Sequence, residues 1–211
     1  VPQVPAVGPV ELTPIQRWLL EQDSSVIHHF NQSVLLCRED GFEAGLLRQV
    51  FAKLVEHHDA LRMTFRVTDD GVEQENHGVE HEAFDLETFD FTARPLAEAE
   101  ASIRGDVGRI QGSIDLARGP LVKCGLFRTS SGDHLLVAVH HLVVDAYSWR
   151  ILLEDFETAY TQAGRNAPIE LPPKTSSFQT WAGRLRHYAR NLSGTPEASY
   201  WERAAAEFAT K

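Results

Sequence analysis

Basic residues are in short supply in this chain. Its 20 Lys and Arg face 30 Asp and Glu, for a formal net charge of -10 and a pI near 5.4. An acidic surface repels phosphate backbones and anionic lipid, so neither nucleic acid nor membrane is expected as a main partner. Long apolar runs are also missing. No stretch approaches the roughly 20 apolar residues that a bilayer-spanning helix needs, and the N-terminus lacks the basic and apolar regions of a signal peptide. Of two cysteines, Cys37 and Cys124, neither belongs to a CxxC pair. They read as reduced thiols in two strand-like runs of a cytoplasmic protein, small buried hydrophobes rather than a disulfide or a metal clip. Met63 is the only methionine, so Val1 is not an unprocessed translation start, and the last residues form a polar helical stretch. Both features suggest an excised piece. Phosphate-cradling GxxxxGKS and GxGxxG runs do not occur, which argues against a nucleotide cofactor. HExxH and Cys/His ligand spacings are missing as well, and adjacent histidines on a strand diverge, so no metal is expected. A GxSxG elbow is lacking too.

What is present is a chain of 211 residues, 43% of them hydrophobic, enough for one sizeable core or two small ones. Residues 1–10 read as an incoming linker. Thr13-Pro14-Ile15-Gln16 forms a capping box with proline at the first helical position. Strands are predicted over 28–37, 61–67, 121–128 and 134–141, with a hairpin return at 72–76 after the Asp69-Asp70-Gly71 turn. Helices are predicted over 43–58, 97–113, from the end of the last strand to about 161, and over 176–191. This interleaving indicates α/β architecture, a mixed-sheet two-layer sandwich. The main body is expected over 11–195, with 196–211 a helix leading out of it.

The most informative stretch is His140-His141-Leu142-Val143-Val144-Asp145. It closes the apolar run Leu135–Val139 and opens an amphipathic segment, placing two imidazoles and a carboxylate where a buried strand turns toward a helix. Titratable groups at such a place can meet a substrate. On a persisting strand His141 shares a face with Val139 and Val137, and His140 the opposite one, so only one ring can reach a given cavity. The bland reading is two satisfied core histidines. Asp145 is either an N-cap for the following helix or a buried carboxylate that needs a cationic partner. Ser148 reads as a first-turn helix residue rather than a nucleophile.

These residues carry a resemblance. His140-His-Leu-Val-Val-Asp-Ala146 is similar to the HHxxxDG motif of the condensation-domain superfamily of nonribosomal peptide synthetases. The following Tyr147-Ser148-Trp149-Arg-Ile-Leu-Leu resembles the epimerization branch. Four further segments agree in order: Leu12–Trp18, His29–Leu36, His57–Phe65 and Lys174–Trp181. The resemblance implies a chloramphenicol-acetyltransferase-like lobe, the N-terminal half of a V-shaped two-lobe domain. It implies His141 as the acid/base group, His140 as fold support, and Asp145 paired with Arg62. Ala146, Ser148 and Trp149 flank the site, Ala146 standing where the motif has glycine. If the backbone there needs a positive φ or close approach, alanine is harmful; if it merely starts a helix, alanine is tolerated.

The implied reaction is inversion of the α-carbon of an aminoacyl or peptidyl thioester. The substrate arrives on the phosphopantetheine arm of a peptidyl carrier protein, and the lobe binds no cofactor directly. A glutamate of the C-terminal lobe, missing here, is implied as the second acid/base group, so the lobe alone is expected to be inactive. The alternatives are amide-bond formation between two carrier-bound substrates, or a non-catalytic carrier-docking module.

Overall fold

The computed structural model describes residues 1–22 and 27–209, so the last two residues of the expected 196–211 helix lie outside the described residues. The elements in chain order are β1 (Gly8–Val10), α1 (Pro14–Leu20), a 3-10 turn (Ile27–His29), β2 (Asn31–Arg38), α2 (Ala44–His57), a second 3-10 turn (Asp59–Arg62), β3 (Met63–Thr68), β4 (Gly71–Asn76), β5 (Phe84–Asp90), α3 (Leu96–Gln111), β6 (Val122–Thr129), β7 (Gly132–His140), α4 (Ala146–Gly164), α5 (Phe178–Arg190) and α6 (Pro196–Ala209).

The mixed α/β architecture is present. The main sheet runs β2-β7-β6-β5, antiparallel except for the parallel β5–β6 edge. Alternation along β7 divides the core. Leu135, Val137 and Val139 pack under α2 and α4 with Leu47, Val50, Phe51, Leu54 and Phe156. Leu136 points the other way, to α3, where it meets Ala99, Ile103, Ile110 and Phe127. A strand buried on both faces reads as a continuous apolar run, which is why Leu135–Val139 contains no polar residue. The second sheet, β1-β4-β3, is antiparallel and packs Val10, Met63 and Phe65 against Ile114, Leu116 and Ala182.

Three elements depart from expectation. Gly8–Val10, placed in the linker, forms a short edge strand on β4. The strand expected from His28 starts at Asn31; the preceding residues turn, with the Phe30 N–H bonded to the Ile27 carbonyl and His28 Nδ1 accepting from the Leu116 N–H at 3.2 Å. β5, with two Asp and one Glu in seven residues, escaped the pattern because it is an edge strand, where charge is tolerated and useful against sheet-to-sheet association.

Candidate functional site

The site lies where β7 ends. His140 is its last residue, and the Val143 N–H returns to the His140 carbonyl at 3.0 Å to make a tight turn. Asp145 then starts α4. Its side chain accepts from the backbone N–H and the hydroxyl of Ser148, both at 2.7 Å, and those bonds hold its carboxyl below the usual carboxylate range. His141 falls in the turn, past the strand. Its N–H bonds to the Phe30 carbonyl at 2.9 Å, extending the β2 ladder by one rung.

The His141 ring is half-buried and held on three sides. Nδ1 lies 2.8 Å from the Val144 carbonyl oxygen, Nε2 lies 3.1 Å from Gln32 Nε2, and Phe30 stacks on one face at 5.1 Å with a 16° tilt. A carbonyl oxygen only accepts, so Nδ1 carries the proton of the neutral ring and Nε2 keeps a lone pair. Chemically this is a proton acceptor with its basic nitrogen aimed away from its own loop.

His140 is the opposite case. It is fully buried. Its Nε2 donates to the Ile27 carbonyl at 2.7 Å, and its Nδ1 accepts from the Leu142 N–H at 3.2 Å. Burial pushes its pKa down to about 4, so the ring is neutral and both nitrogens are used. The two adjacent histidines carry their protons on different nitrogens because different carbonyls claim them.

The expected Asp145–Arg62 pair does not form. Asp145 is exposed and caps α4 through its Oδ1. Arg62 is buried and bonds through four of its five N–H donors to other partners. Nε bonds to the His77 carbonyl at 2.9 Å, Nη1 to the carbonyls of Val55 and Glu56, and Nη2 to Asp59 Oδ1 at 2.7 Å. Val55 and Glu56 belong to the last turn of α2, whose carbonyls lack helical partners. Arg62 thus closes that helix, and its charge is matched by Asp59 rather than Asp145. Ala146 is the first residue of α4 and exposed; its φ is negative, so alanine adds no backbone strain there. Ser148 serves the cap. Trp149, in the first turn of α4, donates its indole N–H to Gln32 Oε1 at 2.9 Å.

Sequence reasoning missed three contributors. Gln32 comes from β2 and Phe30 from the residue just before it, and Gln16 of α1 donates to the Leu142 carbonyl at 3.3 Å, next to His141. The signal was at hand in the matched segments: Leu12–Trp18, His29–Leu36 and the motif itself converge on one turn. The doublet His57-His58 closes α2, at the end of the helix predicted over 43–58, where the strand rule for adjacent histidines does not apply, and its rings meet edge to face at 4.9 Å. With Asp155 the two bring potential ligand atoms within 4.8 Å of one another. His58 Nε2 is bonded to Asp155 Oδ2 at 2.8 Å, and burial lowers the pKa of both histidines, with Lys174 acting in the same direction.

Residues 7–211 match the model of the condensation domain family. Tyrocidine synthase 2 of Brevibacillus parabrevis is 50% identical over 194 residues, 92% of this chain and 5% of that protein. Gramicidin S synthase 1 of Brevibacillus brevis is 48% identical over the same share of this chain and 18% of its own length. Among solved structures, the epimerization domain from the third module of tyrocidine synthetase B superposes with a TM-score of 0.93 at 47% identity, covering 97% of this chain and 46% of that one. The starter condensation domain of rhizomide synthetase shares the fold, with a TM-score of 0.78 at 18% identity over 93% of this chain and 48% of that one. The chain therefore spans less than half of each solved neighbour.

Proposed function

The chain belongs to the condensation-domain family, and on that premise we propose that it is the N-terminal lobe of an epimerization domain. Its substrate is an aminoacyl or peptidyl thioester on the phosphopantetheine arm of a carrier protein. The reading rests on the half-buried His141, whose Nδ1 is committed to the Val144 carbonyl and whose Nε2 retains a lone pair. Identity of 47% to a solved epimerization domain favours inversion over the other reactions of the family.

In this mechanism His141 Nε2 takes the proton from the α-carbon, and the C–H electron pair moves into the thioester to give an enolate. A proton returned from the opposite face by a group on the other lobe inverts the centre, and His141 passes its own proton back to that group or to water. Histidine suits this task because its ordinary pKa lies near neutrality. A thioester α-proton is far less acidic than imidazolium, so stabilisation of the enolate and exact placement must supply most of the rate. His140 contributes no proton; it is buried, neutral and anchors the turn. Asp145 fixes the start of α4, and with it Trp149.

Amide formation between two carriers is the second reading, favoured by the description of the family model itself. Supplying the complete domain with two loaded carriers separates the two. A changed L/D ratio on a single carrier supports inversion, and a new amide without that change overturns it.

A further inference from the structure

We propose that Gln32, oriented by Trp149, is a positioning residue that holds His141 as a neutral base with its lone pair on Nε2. This rests on the reading of His141 as the acid/base group and adds a device that sets its proton state. The argument is one of donors and acceptors. An indole N–H can only donate, so the atom 2.9 Å from Trp149 Nε1 is the Gln32 amide oxygen. The amide nitrogen is thereby turned to His141 Nε2, 3.1 Å away. A carbonyl can only accept, so the Val144 oxygen at 2.8 Å places the ring proton on Nδ1. Trp149, Gln32, His141 and Val144 form one chain of bonds running in a single direction, and only the neutral Nδ1–H ring completes it. An imidazolium would set its Nε2–H against the Gln32 NH2, donor against donor.

The parts come from separate elements. Gln32 pairs with Val139 across β2 and β7 and so shares its face, while Trp149 descends from α4 on that same face. Phe30, two residues before Gln32, covers the ring. Rotating the imidazole by half a turn would put carbon atoms against both the Val144 oxygen and the Gln32 amide, so the ring orientation is fixed too. The contacts from β2 and α4 are uncharged. The ionisable loop neighbours of His141 are His140 and Asp145, and its charge would lower the pKa of each. When the substrate arrives, the amide yields the Nε2 lone pair to the α-proton; no other reactant is needed.

The test uses the complete domain with an aminoacyl-loaded carrier. Gln32→Glu keeps the acceptor for Trp149 and replaces the donor facing His141 with a carboxylate oxygen, which welcomes Nε2–H. Its rate on the acid limb of the pH–rate profile should fall by up to about tenfold and recover as the pH is raised, that limb moving up by about one unit. A purely structural role would lower the rate equally at every pH. Nitrogen-15 spectra of the histidine rings in the native domain give a second measurement, independent of any variant's folding: His141 should show a protonated Nδ1 and a bare Nε2 at neutral pH. A native ring protonated on Nε2 overturns the proposal. So does a Gln32→Glu profile that superimposes on the native one while His141→Ala is inactive. Full activity of His141→Ala would instead remove the acid/base reading itself, and this assignment with it.

Discussion

His140 and His141 are neighbours with different fates, and the reason is local. One ring meets the Ile27 carbonyl in the core and the other meets Val144 in a half-open turn. The folded pKa of His140 is depressed from 6.5 to about 4, so between those values the unfolded chain binds a proton that the native chain refuses. Its contribution to stability is therefore complete above about pH 6.5 and lost as the pH falls toward 4. The full loss is about 3 kcal/mol. Urea unfolding at a series of pH values should show it, and His140→Gln, which keeps a donor for Ile27 but takes up no proton, should remove most of that slope. An unchanged slope in the variant would refute the assignment. The Asp145 cap was legible in the sequence because capping is a short-range interaction. The partners of Arg62 were not, because three of its acceptors are backbone carbonyls, which every residue carries. Asp145→Ala should cost about 1 kcal/mol. Combined with Arg62→Lys in a double-mutant cycle, it should show coupling below about 0.5 kcal/mol, whereas a direct ion pair would give more.

The helices were read well where an apolar stripe faces the sheet, as in α2, whose Leu47, Val50, Phe51, Leu54 and Val55 are all buried. Edge strands were read poorly. β1 is three residues long and β5 carries acidic residues on its exposed side, so neither displays the apolar pattern on which strand detection depends. The closeness of α3 to the sheet was also hidden. It depends on Gly125 of β6, where a Cβ would lie 2.7 Å from Ile110 Cδ1 and 2.9 Å from Phe127 Cζ, both on buried side chains. Gly125→Ala should accordingly destabilise the chain by about 1–3 kcal/mol through overpacking. Gly105, on α3 with nothing within 4 Å of its would-be Cβ, should respond oppositely, Gly105→Ala gaining up to about 1 kcal/mol. Chemical denaturation of the two variants checks this, and equal signs would contradict the packing described.

At the scale of the whole molecule, the order of five matched segments made the fold legible, while the geometry of the site was not. Gln16, Gln32 and Trp149 are distant in sequence and meet only because α1, β2 and α4 converge on the turn after β7. Trp18, Trp181, Tyr200, Trp201 and Phe208 are exposed, large apolar side chains that a second copy of the chain can cover. On its own the chain should self-associate, with an apparent mass in sedimentation that rises with concentration; strict monomers at high concentration would contradict this. The most direct measurement is made on the complete domain, with an L-aminoacyl carrier in deuterated water, following both the L/D ratio and deuterium uptake at the α-carbon. The native domain should do both, and His141→Ala should lose both by about 100-fold or more. Undiminished deuterium uptake and inversion in that variant would contradict the account.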